Sequence, residues 1–266
     1  MKCSFTTLGC PDWSFERILT EAQRMGFDGI EIRGLEGEML ADKIEYFKPG
    51  KQQDTLRRLQ QHQLEMTGFG TSVNFHDPVK TPALIEDGKA AIDICERMHI
   101  PAIRVFGDKI ADPANEQQVI DQVVAGIKTL CDYAEGTSVQ VWLEVHGDFN
   151  RLERIQSVIS RMSSERFGIL WDIEHSDKVY GDDFMAFYEP LRPAIRHVHV
   201  KDHVRENGAF RLCRIGEGDI PIKKIVDQML RDGYDGYFSL EWEKKWHPEL
   251  PDAEIAFPDF IRIMKQ

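Results

Sequence analysis

Hydrophobic and polar positions along this chain follow two spacings that take turns from end to end. Short runs of β-branched and aromatic residues, alternating or wholly apolar, predict strands. Between them lie longer stretches with apolar residues three and four apart, which predict helices with one buried face. Lys2–Gly9 reads as a strand and Ser14–Gly26 as a helix, with Ser14 placed to cap its start and Gly26 its end. Gly29–Gly34 reads as strand, Asp54–Gln63 as helix and Leu64–Val73 as strand. A long helical pattern from Thr81 leads to a strand over Ala102–Asp108, and another from Asn115 to Thr137 leads to Val139–Phe149. Arg151–Met162 is helical and Phe167–Ser176 strand-like; a helix ending at Pro193 then precedes Ile195–His203. Residues 209–219 suggest a hairpin, 221–233 a helix, Tyr237–Glu243 the last strand and 251–266 a closing helix.

Eight strands, each followed by a helix, imply a parallel sheet with helices outside it. That alternation across this length predicts an α/β fold of the (β/α)8 TIM barrel type, with residues 1–266 as a single barrel domain. An open doubly wound sheet would want a glycine-rich phosphate turn after the first strand. TTLGCPDW is not one, and no GxxxxGK[ST] motif exists. The chain also echoes itself: Arg24–Gly34 and Arg231–Glu243 both read as helix end, glycine cap, Asp-Gly turn and strand. A good turn solution used twice accounts for this.

Composition narrows the function. The net charge of −12 on 266 residues opposes a general nucleic-acid or anionic-membrane binder, while a locally basic pocket stays compatible with a small anion. Five cysteines with no CxxC pair suit a reduced compartment, and no apolar run reaches the ~18 residues of a membrane span. The expectation is a soluble cytoplasmic protein acting on a small molecule, with a homo-oligomer possible.

Active sites of such barrels lie at the C-terminal ends of the strands. There the fifth strand offers Glu144 and His146, the sixth Asp172 and then His175, the seventh His197, His199 and Lys201, and the eighth Glu241. Four successive strands deliver an acid or a histidine to one rim. Glu144, Asp172, His199 and Glu241 together supply one nitrogen and three carboxylates, a set suited to one divalent ion: Mn2+ or Mg2+, and also Zn2+ or Co2+. Without a cation, three converging carboxylates would repel and their pKa values would rise. Taken singly, each has a plainer reading: rim charge, helix cap or core histidine.

The segments LEVHGDF, WDIEHS, HVHVKD, GEGDI and GYDGYFSLEWE, in this order and spacing, resemble the xylose-isomerase-like barrel superfamily of sugar and sugar phosphate isomerases and epimerases. That superfamily also contains inosose and 3-dehydroshikimate dehydratases and endonuclease-IV-like enzymes. The resemblance implies a single-metal site on Glu144, Asp172, His199 and Glu241, with His175 contacting substrate oxygens. It implies an epimerase in which Glu144 and Glu241 shuttle the proton through an enediolate. One departure is Glu144-Val-His146, similar to the dehydratases, where such a histidine looks like the general base. His146 is therefore a candidate catalytic base or a partner that orients Glu144, and a metal-dependent lyase remains the alternative. A non-catalytic, metal-stabilised sugar-binding barrel is the third possibility. The endonuclease branch would need more metal ligands and a basic face.

Further candidates follow from position. Lys201, on the inward face above His199, could meet an anionic group on the substrate, as could His203, Arg211 and Arg214, although bracing the hairpin is the favoured reading of both arginines. His76 could line the pocket. His203 has left the strand, and His197 lies one layer below the rim as a packed core residue. Glu217 belongs to a structural GEG turn. Trp142, Trp171, Trp242 and Trp246 could face sugar carbons or pack within the barrel.

Overall fold

The structure, a computed structural model, describes residues 1–265. Among these, ten strands and nine α-helices alternate: β1 Lys2–Phe5, α1 Phe15–Met25, β2 Gly29–Ile32, α2 Gln52–Gln61, β3 Glu65–Asn74 and α3 Thr81–Met98. Then follow β4 Ala102–Phe106, α4 Glu116–Ala134, β5 Gln140–Glu144, α5 Leu152–Ile159, β6 Phe167–Asp172, α6 Ile173–Tyr180 and α7 Phe184–Leu191. The chain closes with β7 Ile195–Val200, β8 Asp202–Glu206, β9 Ala209–Cys213, α8 Ile222–Arg231, β10 Tyr237–Leu240 and α9 Ala253–Met264.

Eight of the strands form one parallel sheet in the order β1-β10-β7-β6-β5-β4-β3-β2, and a parallel bridge from Thr6 to Glu31 joins its two ends. The fold is a (β/α)8 TIM barrel. Two strands stand outside it: β8 and β9 pair antiparallel as a hairpin after β7. The local signals act as expected at α1. Ser14 Oγ accepts from the Arg17 amide at 3.3 Å, and Gly26 ends the helix in the left-handed region at φ 85°.

Several strands stop earlier than their hydrophobicity suggests. The first gives way to a single 3-10 turn over Thr7–Gly9, and the sixth ends at Asp172. There the carboxylate accepts the amides of Glu174 (2.9 Å) and His175 (3.4 Å), so EHS opens α6 rather than continuing a strand. The seventh breaks after Val200, and Asp202 begins the hairpin. His203, expected in a loop, lies instead on β8 and is wholly buried. Asp202 explains the break: its carboxylate accepts amides from His203, Gly216, Gly218 and Ile220, tying the hairpin to the GEG turn.

The main apolar core lies between the strands and the helices, where Phe5, Phe27, Phe257 and Phe260 pack ring on ring. A smaller apolar cluster, Ala102, Trp142 and Leu170, is separate from it. Register places these three on the strand faces that also carry Arg104, Glu144 and Asp172, so they floor the barrel lumen. Above that floor the lumen is polar. Gly70 makes this possible: a Cβ there would lie 2.6 Å from Arg33 Cδ and 2.7 Å from Arg104 Nη2.

Candidate metal centre and active-site cavity

β5, β6, β7 and β10 bring Glu144, Asp172, His199 and Glu241 together at the C-terminal mouth. One donor atom from each lies within 4.8 Å of the others, and all four residues are buried. Opposite ligands of an octahedral Mg2+ stand about 4.2 Å apart, so a small closure of the set would hold a cation. His199 offers Nδ1, which is 3.3 Å from Glu144 Oε1 and 3.2 Å from Glu241 Oε2. Glu144 Oε2 and Asp172 Oδ2 are buried oxygens without an aligned hydrogen bond, although a cationic side chain lies 2.8 Å from each. Donor chemistry and spacing therefore fit a divalent ion, which Glu144, Asp172, His199 and Glu241 could hold.

Charge in the site is dense and paired. Burial alone would raise the Glu144 carboxyl, but Arg104, with Nη1 2.8 Å away, and His199 outweigh it and bring Glu144 down to about 2. Burial likewise opposes ionisation of Glu241; His199 and Lys201 hold it well below the usual carboxylate range. Asp172 goes the other way. Burial and the neighbouring carboxylates outweigh Lys201 and push it up to about 7. Two of the three carboxylates stay ionised and the third bears the repulsion.

Above the set opens a cavity of about 590 Å³, lined among others by His146, His175, Lys201, Phe210, Arg214 and Glu243. Lys201 does not present a free ammonium to it. Nζ lies 2.8 Å from Asp172, 2.6 Å from Glu241 and 2.8 Å from Glu243, so the expected anion contact is replaced by three carboxylates. Arg211 pairs with Glu206 across the hairpin at 3.1 Å, while Arg214 pairs with Asp259 on α9 at 3.0 Å and with Glu217 in the GEG turn; both line the cavity wall. His175 stands over Asp172, Nε2 to Oδ2 3.9 Å, and burial with Lys201 nearby keeps it neutral. His146 makes no hydrogen bond to Glu144. Its ring packs on His175 (4.3 Å) and Phe106 (4.7 Å), and burial lowers its pKa. His76 is outside the cavity lining, because the turn after β3 carries it to Asp108, 3.6 Å away.

None of Trp142, Trp171, Trp242 and Trp246 lines the cavity, and the first three are packing residues. Trp142 stacks on His197, Trp171 stacks on Tyr188 and is fully buried, Trp242 is buried and bonded to Pro251, and Trp246 is exposed. The aromatic that reaches the cavity is Phe210 on the hairpin.

Sequence reasoning missed four buried residues. Glu31 on β2 meets His197 and His199 across the lumen. Arg104 on β4 fixes Glu144, with its guanidinium 3.9 Å from the Phe106 ring. Arg33 reaches Ser72, and Glu174 joins His203 to α6. The available signal was a charged residue on the inward face of a short apolar strand, as in GIEIRG and AIRVFG.

Fold and site together define a (β/α)8 barrel with an acid-and-histidine cluster at its C-terminal mouth. The chain belongs to the xylose isomerase-like TIM barrel family, whose model matches residues 19–261. It is similar to a fructoselysine 3-epimerase of Shigella flexneri, 22% identical over 91% of this chain and 90% of that protein. Among solved structures, it resembles the probable 3-DHS dehydratase AsbF of Bacillus anthracis, with a TM-score of 0.78 at 19% identity over 100% of this chain and 99% of that one. The zinc-bound IolI protein gives a TM-score of 0.78 at 18% identity, over 100% of this chain and 95% of that one. These two likenesses establish a shared fold. No helix among the described residues is long and apolar enough to cross a membrane.

Proposed function

We propose that this protein is a divalent-metal-dependent isomerase or epimerase of a sugar or sugar-like polyol ketone. The observation that carries the reading is the convergence of Glu144 and Glu241 on His199 Nδ1, with Asp172 beside them, beneath an open cavity. A bound divalent ion would supply Lewis acidity, polarising a carbonyl and an adjacent hydroxyl and so acidifying the C–H between them. The rest is work for the chain's own groups. Arg104 keeps Glu144 ionised, and so ready to accept the proton from carbon. Glu241, on another strand and itself ionised, relays a proton from the Lys201 ammonium 2.6 Å away to the resulting enediolate; Glu144 then gives its proton to solvent and Lys201 takes one back, and the two glutamates exchange roles in the reverse direction. Neutral His175 hydrogen-bonds substrate hydroxyls, and Phe210 and Arg214 form part of the wall around the substrate. Similarity to a fructoselysine 3-epimerase supports a carbohydrate substrate, and the net charge of −12 opposes a polyanionic partner.

Solvent exchange tests this. Incubation with Mn2+ and candidate ketoses in D2O should place deuterium beside the carbonyl without loss of water, and Glu144→Gln and Glu241→Gln should abolish exchange. A second reading, a lyase acting on a hydroxylated cyclic ketone or acid, draws on His146, a neutral imidazole at the cavity wall with no hydrogen bond on its buried Nδ1. It predicts an ultraviolet-absorbing enone and a His146→Ala variant that keeps its metal and loses all turnover. A metal-stabilised sugar-binding barrel predicts that both Gln variants bind sugar normally and that no sugar is ever converted.

A further inference from the structure

We infer that Glu31 is a positioning residue that fixes the His199 ring so that Nδ1, and not Nε2, is offered at the barrel mouth; this rests on the metal-centre reading above. Glu31 sits on β2 and reaches across the lumen to β7 and β10. Its Oε1 and Oε2 lie 2.9 and 3.0 Å from His199 Nε2, and Oε2 is 2.9 Å from His197 Nε2. Ser239 Oγ donates to the same Oε2 at 2.8 Å. Three donors from two adjacent strands thus converge on one carboxylate that is only 2% exposed.

The two nitrogens of an imidazole point in divergent directions, so binding one to a fixed carboxylate aims the other. With Nε2 on Glu31, Nδ1 faces Glu144 and Glu241 at 3.3 and 3.2 Å. A carboxylate on the remote N–H also makes the free nitrogen a stronger ligand. Burying an anion costs several kcal/mol before compensation, and an apolar side chain would fill the same space at less cost. A plain filler therefore does not account for a glutamate here, whereas orientation of His199 does. His197 and Ser239 hold Glu31 in turn: the His197 ring lies parallel to Trp142, with centroids 5.2 Å apart, and Ser239 is register-paired with His199. Glu31, His197 and His199 can also be seen as a second cation site. The hydrogen-bond lengths and the Ser239 donation favour protons over an ion there.

Calorimetric titration of the full-length apoprotein with Zn2+ tests the role, alongside Glu31→Gln, Ser239→Ala and His199→Ala. Circular dichroism checks that each variant is folded. Glu31→Gln should lower Zn2+ affinity about 10–100-fold, and Ser239→Ala by a smaller factor of roughly three to ten. With 15N-histidine labelling, the Zn2+-loaded wild type should show the His199 proton on Nε2, and that signature should be lost or mixed in Glu31→Gln. If both variants bind Zn2+ as the wild type does while His199→Ala does not, the role of Glu31 is wrong and the metal centre stands. If the wild type takes up no Zn2+, both fall. Should Glu31→Gln fail to fold, Ser239→Ala decides alone, and an unchanged affinity overturns the inference.

Discussion

His203 should make the stability of this protein fall as the solution becomes alkaline. Both ring nitrogens face carboxylates: Nδ1 is 3.0 Å from Glu174 and Nε2 is 2.9 Å from Asp177, and the side chain is fully buried. Nδ1 is hydrogen-bonded to Glu174, Nε2 is ion-paired with Asp177 without an aligned hydrogen bond, and only an imidazolium carries an N–H toward each. Burial works against the charged form, but Asp177 and Glu174 outweigh it and raise the pKa to about 9. The unfolded chain should titrate at the ordinary value of about 6.5. A raised folded pKa gives stability that is complete below 6.5 and disappears as pH climbs through 9. At about 1.4 kcal/mol per pH unit the shift is worth at most about 3.5 kcal/mol. Lys178 pairs with Glu174 at 2.7 Å and Arg205 with Asp177 at 2.5 Å, so these carboxylates keep partners when His203 turns neutral. A net ~2 kcal/mol is therefore the better expectation, or roughly 4–8 °C in Tm for a chain of this size.

The assay is chemical denaturation of wild type and His203→Gln from pH 6 to pH 10. The wild type should exceed the variant most at pH 6, and the gap should close above pH 9. Titrations elsewhere affect both proteins and cancel in the difference. A gap of the same size at pH 6 and pH 10, or one that widens with pH, would refute a charged His203 between the two carboxylates.

Other perturbations follow from the same geometry. Arg104→Met leaves Glu144 buried without its cation; we expect a loss of ~3–5 kcal/mol in urea denaturation and an acid limb of the pH–rate profile that moves upward. With Asp172 near 7, divalent-ion affinity should weaken from pH 8 to pH 6, and binding should release more protons at pH 6 than at pH 8, since the His199 proton is displaced at both; calorimetry in buffers of different ionisation enthalpy detects the difference. Gly218→Ala would put a Cβ 2.1 Å from Asp202 Oδ1, dislodging the carboxylate that accepts four amides; a thermal melt should register a loss of about 2–4 kcal/mol.

The barrel was legible because its signals are local. Helix caps such as Ser14 and Gly26 act within a few residues, and strand hydrophobicity needs only its neighbours in sequence. Strand ends were less legible, because apolar residues continue past the point where pairing stops. Phe167–Ser176 reads as one run, yet Asp172 takes two amides and turns the chain into α6. Whether Asp172 is a cap or a ligand was a choice that one residue's context could not make. In the structure Oδ1 caps the helix while Oδ2 faces Lys201, so the cap takes only one of the two oxygens.

What stayed hidden depends on pairs far apart in sequence. Spacing along β7 gave the height of each histidine but not its partner, and the partner decides the chemistry. His199 meets Glu31 from 168 residues away, and Arg104 meets Glu144 from another strand. Lys201 was readable as a free cation only while the residues facing it were unknown; with Asp172, Glu241 and Glu243 around it, it is the counter-charge of the rim. The same holds for His203, whose carboxylates lie on α6. An inward-facing charge on a short apolar strand cannot stay unpaired in a closed barrel, since the desolvation penalty of a lone buried ion exceeds what the fold can absorb. Glu31 and Arg104 therefore had to have partners, and the other strands lining the lumen supply them: His197, His199 and Ser239 for Glu31, and Glu144 for Arg104.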